Sequence, residues 1–311
     1  MKIKKPEFWD LKKPNFISYL LVPFTIPLII NNYIRGKTNK KIEGINSICV
    51  GNIYVGGTGK TPTTIKLYEI LKNIEPKICV GKKFYSNHQD EKEILEKKTN
   101  LISENNRKRI IDIAIKNDQK IIIFDDGLQD RNIDYDLKFV CFNSENWIGN
   151  GKLIPSGPLR EKISSLKRFD AVFLKHNEFN NETIKLIKNY SPNLEIFNTS
   201  YEIKNLNKID FTKKYLIFSG IGNPKDFKKI LQKNKLIIID EIIYPDHFDY
   251  KQKDINYIKE RAKRNSAEII TTEKDFVKIS KLGNNNINFV EINLKIDNEI
   301  KLIDFIKQKI S

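Results

Sequence analysis

Between residues 46 and 205, short apolar runs alternate with segments whose apolar residues recur at helical spacing. The runs at 47–50, 77–80, 120–124, 138–142, 171–174 and 194–198 are rich in Ile, Val and Phe and predict strands. The segments 61–73, 90–97 and 106–117 predict helices. That alternation predicts an α/β fold, a mostly parallel sheet flanked by helices. Residues 147–162, rich in Gly and Pro, break the pattern and predict an ordered loop of the length that often carries function. Near residue 211 a second alternation begins, with strands at 215–219, 236–240, 268–271 and 288–292 and helices at 225–232 and 300–310. The chain therefore divides, on its pattern, into an N-terminal apolar segment (1–40), a larger α/β domain (41–208) and a smaller α/β lobe (209–311).

The N-terminal segment has a pattern of its own. Residues 16–34 are nearly free of charge, with Lys2, Lys4, Lys5, Lys12 and Lys13 before them and Arg35, Lys37, Lys40 and Lys41 after. A spanning helix needs about 20 apolar residues. This stretch is barely that long, is interrupted by Pro23 and Pro27, and lacks the one-sided positive flank of a spanning segment. No small-residue cleavage site follows it, which excludes a secretory signal. The pattern predicts a helical foot lying in one leaflet, its apolar side chains among acyl chains and its lysines at anionic headgroups. The plainer alternative is a hydrophobic helix packed on the protein's own core.

Composition changes this picture only in part. The chain has 311 residues, 40% hydrophobic, with 55 Lys and Arg against 39 Asp and Glu, a net charge of +16. Such an excess suits a polyanion: nucleic acid, an anionic membrane surface or a phosphorylated substrate. Lys, Asn and Ile are abundant throughout, so some of the excess is background. No helix-turn-helix, zinc spacing or aromatic RNA-binding signature is present, which argues against nucleic acid. Cys49, Cys79 and Cys141 sit in or beside apolar runs without pairing or metal spacing and are expected to be core thiols in a reducing compartment.

Candidate chemistry begins at 48–65, ICVGNIYVGGTGKTPTTI. An apolar strand, a glycine-rich turn and a helix start make a phosphate cradle: backbone N–H groups approach the anion and the helix N-terminus faces it. Gly56, Gly57, Thr58 and Gly59 form the turn, Lys60 supplies a point charge, and Thr61 would place a hydroxyl on Mg²⁺. Tyr54 stands where the strict G-x-x-x-x-G-K-[ST] spacing wants its first glycine. Downstream, Ile121-Ile122-Ile123-Phe124-Asp125-Asp126-Gly127 reads as a buried strand ending in two acids, either of which could reach the metal. Transfer to a hydroxyl also needs a group to orient or deprotonate it. The histidines His88, His176 and His247 are candidates that spacing alone does not separate.

These motifs occur in the order found in the tetraacyldisaccharide 4′-kinases, which the chain resembles over most of its length. Val50-Gly51-Asn52 through Val55-Gly56-Gly57-Thr58-Gly59-Lys60-Thr61-Pro62 is similar to that family's phosphate loop, which also lacks the first glycine. Asp125-Asp126-Gly127-Leu128-Gln129 resembles its acidic block, and Gly149-Asn150-Gly151 through Leu153-Ile154-Pro155-Ser156-Gly157-Pro158-Leu159-Arg160-Glu161 its glycine-proline signature. Gly220-Ile221-Gly222-Asn223-Pro224, Pro245-Asp246-His247 and Thr271-Thr272-Glu273-Lys274-Asp275 resemble further blocks.

The resemblance implies transfer of the ATP γ-phosphoryl group to the 4′-hydroxyl of a tetraacylated glucosamine disaccharide 1-phosphate, at the cytoplasmic face of a bacterial inner membrane. It implies ATP and Mg²⁺ as cofactors, with Lys60 and Thr61 at the β/γ-phosphates and Asp125 or Asp126 with Glu161 around the metal. It implies Asp90 as catalytic base, oriented by His247, and no obligate protein partner. The chain departs from the family around that acid. Val80-Gly81-Lys82-Lys83-Phe84-Tyr85 stands for Ser-Arg-Gly-Tyr-Gly, Gln89 for a glycine, Phe248 for a second histidine and Asp130 for another. An ATPase switch shares close variants of the loop but gives no role to 149–161 or to the apolar foot. A kinase of another glycolipid is the nearer alternative.

Overall fold

The structure, a computed structural model, describes residues 5–34, 40–85, 89–130, 132–176, 181–284 and 286–310. Lys2, Lys4, Arg35, Lys37 and the histidine candidate His88 lie outside the described residues. The labelled strands are β1 (Asn46–Gly51), β2 (Ile78–Lys83), β3 (Leu101–Glu104), β4 (Ile121–Asp125), β5 (Leu137–Asn143), β6 (Ala171–Lys175), β7 (Glu195–Ile203), β8 (Lys214–Ser219), β9 (Ile237–Ile243), β10 (Glu268–Thr272), β11 (Asn288–Val290) and β12 (Ile292–Ile296). The helices are α1 (Phe16–Leu20), α2 (Ile26–Ile34), α3 (Lys60–Lys72), α4 (Gln89–Lys98), α5 (Arg107–Lys116), α6 (Asn181–Tyr190), α7 (Pro224–Lys233), α8 (Gln252–Arg264), α9 (Glu273–Ser280) and α10 (Glu299–Ile310).

The chain forms two compact units. Of the described residues, one comprises those within 5–84, 98–200 and 295–310; the other those within 85–97 and 201–294. The sequence boundary at 208/209 falls near the crossing at Ser200, yet two segments lie across it. Residues 85–97, with Asp90, belong to the second unit, and α10 belongs to the first. Helix α10 buries Leu302 and Ile306 and sets the Phe305 ring 5.6 Å from Phe197 and 6.3 Å from Phe139.

The first unit is built on an eight-stranded sheet in the order β12-β7-β6-β5-β1-β4-β2-β3. The ladders of β1 with β4 and β5, of β2 with β3 and β4, and of β6 with β5 and β7 are all parallel. Ile48, Cys49 and Val50 of central β1 are wholly buried, as expected of a strand covered on both faces. The three cysteines are free and buried. Burial pushes the thiols of Cys79 and Cys141 up to about 12, so they are inert packing groups. Gly51 ends β1 because a Cβ there would lie 2.6 Å from Cγ of Leu128.

The second unit has its own four-stranded parallel sheet, β9-β8-β10-β11. Successive residues of β8 serve opposite faces. Tyr215 and Ile217 pack with Phe227, Ile230 and Leu231 of α7. Leu216 and Phe218 pack with Ile255, Ile258 and Ala262 of α8.

The N-terminal apolar stretch is not one helix. Helix α1 is followed by a 3-10 turn at Val22–Thr25, with Pro23 in its first turn, and then by α2, which buries no residue. Among the described residues no helix is long and apolar enough to cross a membrane.

Candidate active site

Strand β1 runs into the glycine turn and then α3, as its sequence requires. Gly59 caps α3 with φ +87° and Gly56 sits at φ +123°, conformations that glycine alone adopts without strain. Asn52, fully buried, holds the turn from inside, donating to the carbonyl of Tyr54 at 2.6 Å and to Oγ1 of Thr58 at 2.9 Å. Thr63 Oγ1 donates to the Gly59 carbonyl at 2.8 Å. Lys60 and Thr61 occupy the first turn of α3, where unpaired N–H groups and the helix dipole attract anions.

Register decides what stands beside this turn. Val50 is opposite Asp125 across the parallel ladder, so β4 delivers its terminal acids at the level where the turn begins. Thr61 Oγ1 donates to Oδ2 of Asp125 at 3.1 Å, and Lys60 Nζ lies 3.6 Å from Oδ2 of Asp126. Lys82 from β2, buried, pairs with Oδ2 of Asp125 at 2.5 Å. Arg160 reaches Oδ2 of Asp126 at 3.5 Å, and Arg107 donates to the Asp126 carbonyl and to Asp130 at 2.8 Å. Asp126 takes φ +64°, unusual outside glycine and of the kind found at functional turns. Burial alone would hinder its ionisation, but Lys60, Arg160, Lys82 and Arg107 outweigh that and hold it below the usual carboxylate range.

The glycine-proline signature braces this turn. The Val55 N–H donates to the Pro158 carbonyl at 2.9 Å and the Arg160 N–H to the Ile53 carbonyl at 2.7 Å. The same segment receives the N-terminal foot. Trp9 Nε1 donates to the Pro155 carbonyl at 3.0 Å, Asn150 Nδ2 to Oγ of Ser18 at 2.9 Å, and Asn32 Nδ2 to the Arg160 carbonyl at 3.0 Å. Glu161, at its end, is buried and paired with Arg168. Among the described residues no three His, Cys, Asp or Glu side chains cluster as a metal cage, so Glu161 is not gathered with Asp125 and Asp126 into one.

The second unit carries the other acid. Asp90 opens α4, is 4% exposed, and faces His247, whose Nδ1 lies 3.2 Å from both carboxylate oxygens. His247 stands at φ +56°, its N–H donating to the Gly220 carbonyl at 3.0 Å. Asp275 accepts from the Gly220 N–H at 2.9 Å and from the Tyr250 hydroxyl at 3.2 Å. The Gly220, His247 and Thr271–Asp275 blocks therefore converge on Asp90. Burial would raise the Asp90 carboxyl, but the His247 hydrogen bond and the charges of Lys274 and Lys278 hold it well below the ordinary range.

This has a consequence for stability. Asp90 and Asp126 both ionise more readily in the folded chain than in the unfolded one. Their contribution is complete above about pH 4 and is lost as pH falls through their folded values. Thermal midpoints should therefore drop on acidification below that point, and the drop should be shallower in Asp90→Asn. Parallel curves for the two proteins would contradict the assignment for Asp90.

The structure gathers Gly56, Gly57, Thr58, Gly59, Lys60, Thr61, Asp125 and Asp126 in the first unit, and pairs Asp90 with His247 in the second. It places His176 elsewhere, with Nε2 3.8 Å from Asp297. Sequence reasoning gave no role to Lys82, Arg107, Lys274 or Lys278. The retained cation at Lys82 and the unexplained Lys274 of the Thr271–Asp275 block were the available signals.

A parallel α/β sheet with a glycine loop, two carboxylates beside it and a separate carboxylate–imidazole pair defines a phosphate-binding α/β enzyme. The profile of the family described as tetraacyldisaccharide-1-P 4′-kinase matches residues 19–91 and 85–311. The chain is 48% identical over 303 residues to the tetraacyldisaccharide 4′-kinase of Pelagibacter ubique (strain HTCC1062), covering 97% of this chain and 96% of that one. It is 35% identical over 317 residues to the one from Rickettsia canadensis (strain McKiel), covering 96% and 95%. A crystal structure of the "apo" form of LpxK from Aquifex aeolicus in complex with ATP shares the fold, with TM-score 0.69, 21% identity and coverage of 95% of this chain and 100% of that one. The chain belongs to the tetraacyldisaccharide-1-P 4′-kinase family and is a phosphotransferase.

Proposed function

We propose that this enzyme transfers the γ-phosphoryl group of ATP to the 4′-hydroxyl of a tetraacylated glucosamine disaccharide 1-phosphate in lipid A biosynthesis, at the cytoplasmic face of a bacterial inner membrane. The observation that carries the reading is the register of β4 against β1, which sets Asp125 and Asp126 beside Thr61 and Lys60. The turn's N–H groups and Lys60 would hold the phosphates. Mg²⁺ ordinarily takes one or two carboxylates plus phosphate oxygens and waters, so the hard oxygens of Thr61, Asp125 and Asp126 fit it without a larger cage. Bound there, it would offset charge on the β/γ-phosphates. Glu161, whose Oε2 pairs with Arg168, would be a further candidate for that shell through its other oxygen. Asp90 accepts the proton of the 4′-hydroxyl as the O–P bond forms and the bond to ADP breaks, and His247 orients the carboxylate.

The foot suits a substrate that stays in a bilayer. Phe16, Phe24 and Tyr33 are 81%, 66% and 72% exposed, and Ile17, Leu20 and Ile30 are exposed beside them. So large an apolar face exposed among the described residues marks an interaction surface. Each large side chain immersed in hydrocarbon contributes about 1.5–3 kcal/mol. Changing Phe16, Phe24 and Tyr33 together to Ser should weaken sedimentation with anionic vesicles by roughly 100-fold or more; recovery equal to wild type would refute the foot.

The reaction is tested with purified full-length protein in detergent, labelled ATP, Mg²⁺ and tetraacyldisaccharide 1-phosphate. The bisphosphate is the expected product. ATP hydrolysis that ignores the lipid would instead support an ATPase switch, and transfer only to a different glycolipid would change the acceptor.

A further inference from the structure

We infer that Lys274 is a positioning residue that fixes His247 as a neutral ring with its proton on Nδ1, aimed at Asp90; this rests on the reading of Asp90 as base.

An ammonium group has three N–H donors and accepts nothing. Lys274 Nζ lies 3.3 Å from Oε1 of Glu91, 3.3 Å from Oδ1 of Asp246 and 3.2 Å from Nε2 of His247. Three donors thus meet three acceptors, and Nε2 must offer its lone pair. The remaining ring proton then belongs on Nδ1, where the two Asp90 oxygens stand at 3.2 Å. A doubly protonated ring would turn an N–H toward the ammonium. Glu91 and Asp246 lie farther from Nε2, at 3.7 and 3.8 Å, and both already face the lysine.

The groups around the pair are consistent with this. Thr272 caps α9, accepting the Asp275 N–H at 3.1 Å, which places Lys274 in the first turn. Lys278, one turn further on, sits 3.1 Å from Oδ2 of Asp90 and 3.5 Å from Oδ1 of Asp275. Burial would discharge Lys274, but Glu91, Asp246, Asp90 and Asp275 outweigh it and keep the ammonium charged above its ordinary range. The proton taken from the acceptor hydroxyl therefore rests on the Asp90 carboxyl and leaves to water with product, because Nε2 is engaged by Lys274.

The test is the tautomer itself. Full-length protein in detergent is labelled with ¹⁵N at its three histidines, and the His247 signals are assigned by their loss in His247→Asn. Wild type at neutral pH should show Nδ1 protonated and Nε2 bare. Lys274→Met should move the proton to Nε2 or protonate both nitrogens, and lower kcat at least about 10-fold with KM for ATP unchanged. Lys274→Arg, which keeps charged donors, should restore the wild-type ring, and Lys278→Met should leave the tautomer alone. A wild-type ring protonated at Nε2 overturns the inference, as does an unchanged ring in Lys274→Met. The wild-type spectrum decides the matter even where the methionine variant fails to fold. Undiminished turnover in Asp90→Asn would remove the base and leave the tautomer result intact, so the two failures are separable.

Discussion

Asp90→Asn is expected to lower kcat by roughly 10²–10⁴-fold, the usual range for loss of a positioned base. The asparagine keeps the shape and can still meet His247 and Lys278, so the fold has little reason to change. What disappears is the negative charge that the proposed mechanism uses to receive the hydroxyl proton. ATP binding is expected to be unaltered, because the substitution leaves the glycine turn at 56–61 and its lysine in place. A carboxylate held so far toward its ionised form is a weak base in the ground state. In the proposed reaction its use would lie in being charged at every physiological pH and in accepting the proton late, when the forming O–P bond has made the hydroxyl acidic. Single-turnover measurement with saturating ATP separates the possibilities: slowed chemistry with normal nucleotide affinity is expected, and normal chemistry would end the assignment.

The second large effect is expected at the phosphate turn. Lys60→Ala should reduce kcat/KM by roughly 10²–10³-fold, as found when one preorganised donor to developing charge is removed. Lys60 Nζ is 3.6 Å from Oδ2 of Asp126, at the head of α3 where the proposed phosphates would sit. Removal also leaves Asp126 short of one of the four cations that hold it ionised. Nucleotide affinity should therefore fall along with turnover, in contrast to Asp90→Asn. An unchanged KM for ATP would mean that Lys60 does not touch the phosphates.

Much of this arrangement was readable from the chain because buried parallel strands are written as unbroken Ile, Val and Phe runs. The seven-residue block from Ile121 to Gly127 announced both β4 and its acids. The edge strand β3, only Leu101–Glu104, and helix α8, whose inward stripe is just Ile255, Ile258 and Ala262 amid charged residues, carry too weak a period to be seen. Unit membership was hidden for another reason. Nothing local in α4 or in α10 records which unit the helix joins, since an amphipathic helix fits either. Site pairings were hidden likewise. The Lys82–Asp125 contact and the Glu161–Arg168 pair join positions that only the folded sheet and loop bring together. Resemblance supplied Asp90 and His247, and it was silent on why Lys274 should accompany them.

The segment from Gly149 to Glu161 is stapled on one side to the phosphate turn and on the other to the foot. Leu28 of the foot also packs against Tyr54, Leu153 and Leu159. Cutting away the foot to obtain a more tractable protein would thus remove the Trp9, Ser18, Leu28 and Asn32 contacts to the loop that braces the glycine turn, as well as the exposed apolar patch. Loss of activity in a shortened chain could not be credited to a lost membrane contact alone, and outward-facing point changes are the cleaner way to test the proposed adhesion apart from catalysis.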